Sequence, residues 1–119
     1  MEFEFKKLNK LRESRKKQSN MIRKNNPNRV PVICERNPKS NLPDLEQHKY
    51  LAPLDLNVTT FDLMIRKRLK IEDTVPLYFI VNEKDFISGD FLFSEIYDKY
   101  KDYQDGLLYI AYTDNPKWL

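Results

Sequence analysis

The side chains best equipped for covalent or metal chemistry are scarce in this sequence. Its 119 residues hold one cysteine, Cys34, and one histidine, His48. A nucleophilic thiol needs a basic neighbour to ionise it. His48 is 14 residues further on, and nothing in the spacing pairs the two. A single cysteine excludes an internal disulfide and a multi-cysteine zinc site. His48 has no companion at metal-ligand spacing. The two glycines, Gly89 and Gly106, cannot build a Gly-rich phosphate loop. No nucleophile, base and orienting group can be assembled, so neither catalysis nor a cofactor is expected. Cys34 reads as a small buried hydrophobe in a strand.

What remains is recognition, and the charge distribution points the same way. Residues 1–40 carry 12 Lys/Arg against 4 Asp/Glu, a net +8; residues 41–119 carry 9 against 14, a net −5. A basic front half suits an acidic partner: nucleic acid, acidic protein tails or an anionic membrane surface. It equally suits a solvated helix face. Nucleic-acid binders interleave aromatics with basic residues, and residues 6–29 contain no aromatic, so no specific nucleic acid is expected. No apolar run reaches 18 residues, and the charged N-terminus lacks a signal-peptide core. The expectation is a soluble chain in a reducing, intracellular compartment.

Several elements must position the recognition groups. Residues 3–10 allow one or two helical turns. In residues 11–25, Leu11, Ser14, Gln18, Met21 and Ile22 recur at helical spacing, and Asn25–Asn28, containing Pro27, ends that helix. Val30–Glu35 reads as a strand that begins, bends or lies at an edge at Pro31, which lacks a donor. Lys49–Pro53 is a second strand. Asn57 caps a helix from about Val58 to Lys70 that turns Phe61, Met64, Ile65 and Leu69 inward. Leu77–Val81 is an apolar run expected to be buried on both faces. Residues 90–100 form a helix with Phe93, Ile96, Tyr97 and Tyr100 on one side. Leu107–Tyr112 is the last strand.

The order predicts an α+β protein: a ubiquitin-like β-grasp, with a four-stranded mixed sheet, a crossover helix and two N-terminal helices. The expected division is a helical extension over residues 1–28 and a β-grasp unit over residues 29–119.

The residues themselves carry a resemblance. Arg29-Val30-Pro31-Val32-Ile33-Cys34-Glu35-Arg36, Lys49 to Leu56, and Ile65-Arg66-Lys67-Arg68-Leu69 closely resemble the autophagy ubiquitin-like modifiers. That is the family of GABARAP and microtubule-associated protein light chain 3. Phe79 to Asn82 and Leu108 to Tyr112 match in order, and the similarity spans roughly residues 12–118. The resemblance implies a β-grasp with two extra helices and a non-enzymatic role. It implies attachment to phosphatidylethanolamine, residence in the cytoplasm and on autophagosome membranes and vesicles, and dealings with conjugation-machinery proteins. Its members bind short aromatic-x-x-aliphatic motifs of cargo receptors and adaptors by strand addition.

Carried onto this sequence, the resemblance implies an aromatic pocket of Gln18, Ile22, Pro31, Ile33, Lys49, Leu51 and Leu107. It implies an aliphatic pocket of Tyr50, Ala52, Pro53, Leu56, Phe61, Met64, Ile65 and Arg68. Gln18 stands where the family usually has Glu, and Ala52 where it has a larger aliphatic residue. Leu119 stands at the family's conjugation glycine, so no lipidation residue is carried over. A membrane anchor is expected only if the native chain supplies that glycine. Two other roles stay open: a non-lipidated trafficking or organelle adaptor, and cytoskeletal or nucleic-acid binding through the basic N-terminal helices.

Overall fold

A computed structural model describes residues 1–118. The elements in chain order are α1 (Glu4–Leu8), α2 (Arg12–Asn25), β1 (Arg29–Arg36), β2 (Lys49–Pro53), α3 (Val58–Leu69), β3 (Tyr78–Val81), β4 (Asp85–Ile87), α4 (Phe93–Tyr100) and β5 (Leu108–Thr113), followed by a single 3-10 turn at Pro116–Trp118.

The sheet has five strands in the order β2-β1-β5-β3-β4. The central pair, β1 and β5, is parallel, and the remaining pairs are antiparallel. The mixed β-grasp sheet is as expected, with one strand more than the four anticipated. The extra strand, β4, has three residues and no apolar run, so it leaves little pattern in the sequence. The apolar run over Leu77–Val81 is buried at Phe79, Ile80 and Val81, but Tyr78 is 39% exposed and packs edge-on against Phe86 of β4.

The two faces of the sheet are distinct. Val30, Val32, Cys34, Leu108, Ile110 and Tyr112 point to the main core with Tyr50 and Ala52. There α3 lies across the sheet, and Phe61 meets Tyr50, Phe79 and Phe93 ring to ring at 4.9–6.3 Å. The Asn57 side chain caps α3 by accepting from the Thr60 N–H at 2.8 Å. The alternate residues of β1 (Pro31, Ile33 and Glu35) face the other way and are covered by the N-terminal segment. The Glu35 carboxylate accepts from the Glu4 and Phe5 N–H groups at 2.7 and 2.9 Å, capping α1 from a distant strand. Phe3 and Phe5 pack on Tyr109.

Two expectations need correction. Pro31 lies in an interior strand rather than at an edge. Its missing donor costs nothing there, because the pairing of β1 with β5 begins one residue later, at Val32 opposite Leu108. The inward face of α2 is also rotated from the predicted one. Leu11 and Met21 are 73% and 55% exposed and Ser14 is exposed, whereas Arg15 and Ser19 are buried. Arg15 Nε binds Asp105 Oδ2 at 2.9 Å, and its Nη1 donates to the carbonyls of Asn9 and Lys10. Ser19 Oγ donates to the Asp105 carbonyl. α2 is thus seated by polar bonds from Arg15 and Ser19, on a face that shares only Gln18 and Ile22 with the predicted stripe.

Candidate functional site

Among the described residues, β2 lies at the end of the sheet with β1 as its sole strand neighbour. The Cys34 N–H donates to the His48 carbonyl at 2.8 Å, which makes Cys34 and His48 a hydrogen-bonded pair. Such pairs alternate along an antiparallel ladder. Tyr50 and Ala52, opposite Val32 and Val30, therefore turn their backbone groups toward β1. Lys49 and Leu51, opposite Ile33 and Pro31, turn theirs outward.

The side chains of β2 alternate as well. Lys49 and Leu51 are exposed beside α2, and Tyr50 and Ala52 are buried on the α3 face. On the α2 side the structure brings together Gln18, Ile22, Pro31, Ile33, Lys49 and Leu51, with Lys49 Nζ donating to Gln18 Oε1 at 3.3 Å. Ile33 and Leu107 are fully enclosed and could serve only as floor. On the α3 side are Tyr50, Ala52, Leu56, Phe61, Met64, Ile65 and Arg68, while Pro53, at the end of β2, is in phase with Lys49 and Leu51. Phe61 and Ile65 are fully enclosed, while Pro53, Leu56 and Met64 are partly open. The Arg68 guanidinium lies 5.3 Å from the Tyr50 ring centre. Burial, reinforced by Cys34 and partly offset by Arg68, pushes the Tyr50 phenol up to about 12, so it stays neutral and donates to the Gln47 carbonyl at 2.6 Å.

The chemistry open to the other reactive groups is narrow. His48 sits beside Cys34 on the ladder, but burial and then the Glu35 charge push the thiol far above its ordinary value. The imidazole Nδ1 lies 3.9 Å from Glu35 Oε2. Among the described residues, no cluster of His, Cys, Asp and Glu could hold a metal, and no helix is long and apolar enough to cross a membrane. Leu119 lies outside the described residues.

Sequence reasoning passed over Arg15, Ser19 and Asp105, which hold the α2 wall, and Gln47, which lies against the β2 edge. Each is a polar residue whose partner is fixed only by the fold. Three hollows lie away from this edge: one under Met1–Lys6, one between α3, β3 and β4, and one on the outer face of α2. Exposed Lys49 and Leu51 with outward backbone groups are an arrangement that suits an extended peptide.

Residues 14–118 match the family described as autophagy protein Atg8, ubiquitin-like. The chain is 43% identical over 101 residues to autophagy-related protein 8 of Kluyveromyces lactis, covering 85% of this chain and 80% of the relative. It is 39% identical over 101 residues to autophagy-related protein 8 of Mycosarcoma maydis, covering 85% and 84%. The crystal structure of Trypanosoma brucei ATG8 superposes with a TM-score of 0.86 at 33% identity, covering 95% of both chains. The chain belongs to the Atg8 ubiquitin-like family of autophagy proteins.

Proposed function

We propose that the protein is a non-catalytic docking module that receives aromatic-x-x-aliphatic segments of cargo receptors and adaptors as an added strand on β2. The observation that carries this reading is the outward pair of Lys49 and Leu51 between two differently walled faces. Side chains along a strand alternate, so residues three apart point to opposite faces. An aromatic at the first position and an aliphatic at the fourth would enter the α2 side and the α3 side respectively. Acidic residues before the motif would meet the basic α2 region, which favours encounter rate and orientation more than affinity. The setting proposed is the cytoplasm and autophagosome surfaces. Family members join phosphatidylethanolamine through a glycine; docking is the role proposed for this chain.

The test is a titration with a Trp-x-x-Leu peptide preceded by acidic residues, followed by amide shifts. Micromolar binding should move Lys49–Ala52, Gln18, Ile22 and Met64, and Leu51→Ala should weaken it at least tenfold. Shifts confined to the outer face of α2, around Lys16, Lys17 and Lys24, would instead favour an acidic-surface role for the basic helices.

A further inference from the structure

The outer edge of β2 is not bare. Gln47 Nε2 donates to the Lys49 carbonyl at 2.8 Å, and Arg29 Nη1 donates to the Leu51 carbonyl at 3.1 Å. These are the outward carbonyls that an added strand would pair with. Gln47 is braced in turn, its Oε1 accepting from Arg68 Nη1 at 3.4 Å. The backbone of Arg29 is braced by Arg23, whose Nη1 donates to the Arg29 carbonyl at 2.7 Å. Both capping side chains spring from exposed residues, so they can swing into water without disturbing the core. Edge strands invite unwanted pairing, and occupying their free groups blunts them.

We propose that Gln47 and Arg29 are a two-part cap that closes the β2 edge, and that a docking strand enters by displacing them from the Lys49 and Leu51 carbonyls. The proposal rests on the docking reading and names the residues of this chain that regulate it. Peptide N–H groups replace the side-chain donors one for one. Affinity is therefore reduced by whatever holds the caps in place, and a partner without a free N–H at the matching position cannot complete the exchange. Gln47 is the cleaner element, because Arg29 can also attract acidic flanks.

The experiment measures the affinity of a Trp-x-x-Leu peptide with neutral flanks for the wild type, Gln47→Ala, Gln47→Glu and Arg29→Ala. Gln47→Glu keeps the size of the side chain and the Arg68 contact but cannot donate. An exposed hydrogen bond that no longer competes should tighten binding about two- to tenfold in both Gln47 variants. Arg29→Ala should tighten it in the same direction. A peptide N-methylated at the residue that donates to the Lys49 carbonyl should lose this gain; each of the two central positions is methylated in turn. Affinity that is unchanged or lower in both Gln47 variants, with wild-type binding intact, overturns the cap and leaves docking standing. No binding by the wild type or any variant overturns the docking reading, and the cap with it.

Discussion

Asp105 is fully buried and serves three donors through its carboxylate. Arg15 Nε and the Tyr109 hydroxyl share Oδ2 at 2.9 and 2.6 Å, and the Leu107 N–H takes Oδ1 at 2.9 Å. Asp105→Ala strands all of them. Removing one partner of a buried ion pair costs about 3–5 kcal/mol. Arg15 keeps the Asn9 and Lys10 carbonyls, so a loss of about 3 kcal/mol is expected. Asp105→Asn keeps one acceptor, sufficient for the Leu107 N–H, and should lose less, about 2 kcal/mol. Against a total of about 5–15 kcal/mol, the protein should still fold. The damage should be local: α2 amides should exchange faster while β1 and β5 stay protected. Peptide affinity at the β2 edge should fall as well, since Gln18 and Ile22 leave with α2. Urea unfolding with residue-resolved hydrogen exchange reads all three effects. The pairing is tested by Arg15→Met with Asp105→Leu, whose joint loss should fall short of the sum by at least about 1 kcal/mol. If Asp105→Ala unfolds within about 0.5 kcal/mol of wild type and leaves α2 protection unchanged, the network is not what docks α2.

Gly106 has φ +76, and a Cβ there would sit 2.7 Å from Ser19 Oγ; Gly89 has φ +67 with open space around it. Left-handed backbone strain of about 1–2 kcal/mol applies to both alanine variants, but Gly106→Ala should lose more by urea unfolding, and Ser19→Ala should remove part of the excess. Equal losses would contradict the contact. At Asp102, burial raises the carboxyl pKa, but the 3.0 Å bond from Lys6 and the Gln104 and Asp105 N–H groups outweigh it, and the net pKa is lowered. A lowered folded pKa gives stability that is present above the ordinary carboxylate value, about 4, and is lost as pH falls through the folded value. The stability gap between wild type and Lys6→Ala should therefore be full at neutral pH and shrink below about pH 4; parallel pH curves would refute this. Cys34 is fully enclosed with its thiol pKa raised, so a thiol reagent should label it only as fast as the protein globally unfolds, with a matching denaturant dependence. Fast labelling that ignores denaturant would mean that β1 opens locally.

The sequence pattern was informative where burial follows apolar spacing. In α3, Val58, Phe61, Ile65 and Leu69 are inside, and their spacing of 3, 4 and 4 makes that face visible. The same logic misjudged α2, whose period was right and whose phase was wrong. Arg15 is drawn inside by Asp105, 90 residues away, and no local pattern encodes that. Pro31 left three readings open for a related reason, and only the edge is excluded: its cost depends on where the parallel ladder starts, which is a property of β5. The candidate site was legible mainly through the resemblance. Taken alone, Ile22, Ile33, Phe61 and Ile65 have core spacing; Ile33, Phe61 and Ile65 are fully buried, and Ile22 is half-buried. Gln47 carries no signal at all, because its role depends on where the Lys49 carbonyl points.

The two-sided edge explains why the N-terminal helices matter to the site. A β-grasp sheet with α3 alone would wall β2 on one face, and an added strand would find an apolar seat for every second residue only. α2 supplies the other wall through Gln18 and Ile22. It is a poor helix to dock by hydrophobic burial, since Met21 and Ile22 are its only apolar residues. Its seat is instead built from Arg15, Ser19 and the Asp102–Gly106 turn. That turn also receives Lys6 of α1, whose Nζ lies 3.0 Å from Asp102 Oδ2. Asp102 Oδ1 in turn accepts from the Gln104 and Asp105 N–H groups. The seating of α1 is therefore bonded to the turn that seats α2. A perturbation that lifts α1 should loosen the wall of the aromatic side before it touches the aliphatic one, so Lys6→Ala should cost affinity for the aromatic anchor more than for the aliphatic anchor. Peptides truncated to alanine at each anchor, measured on wild type and Lys6→Ala, separate the two, and equal effects at both anchors would show that the turn does not couple the helices.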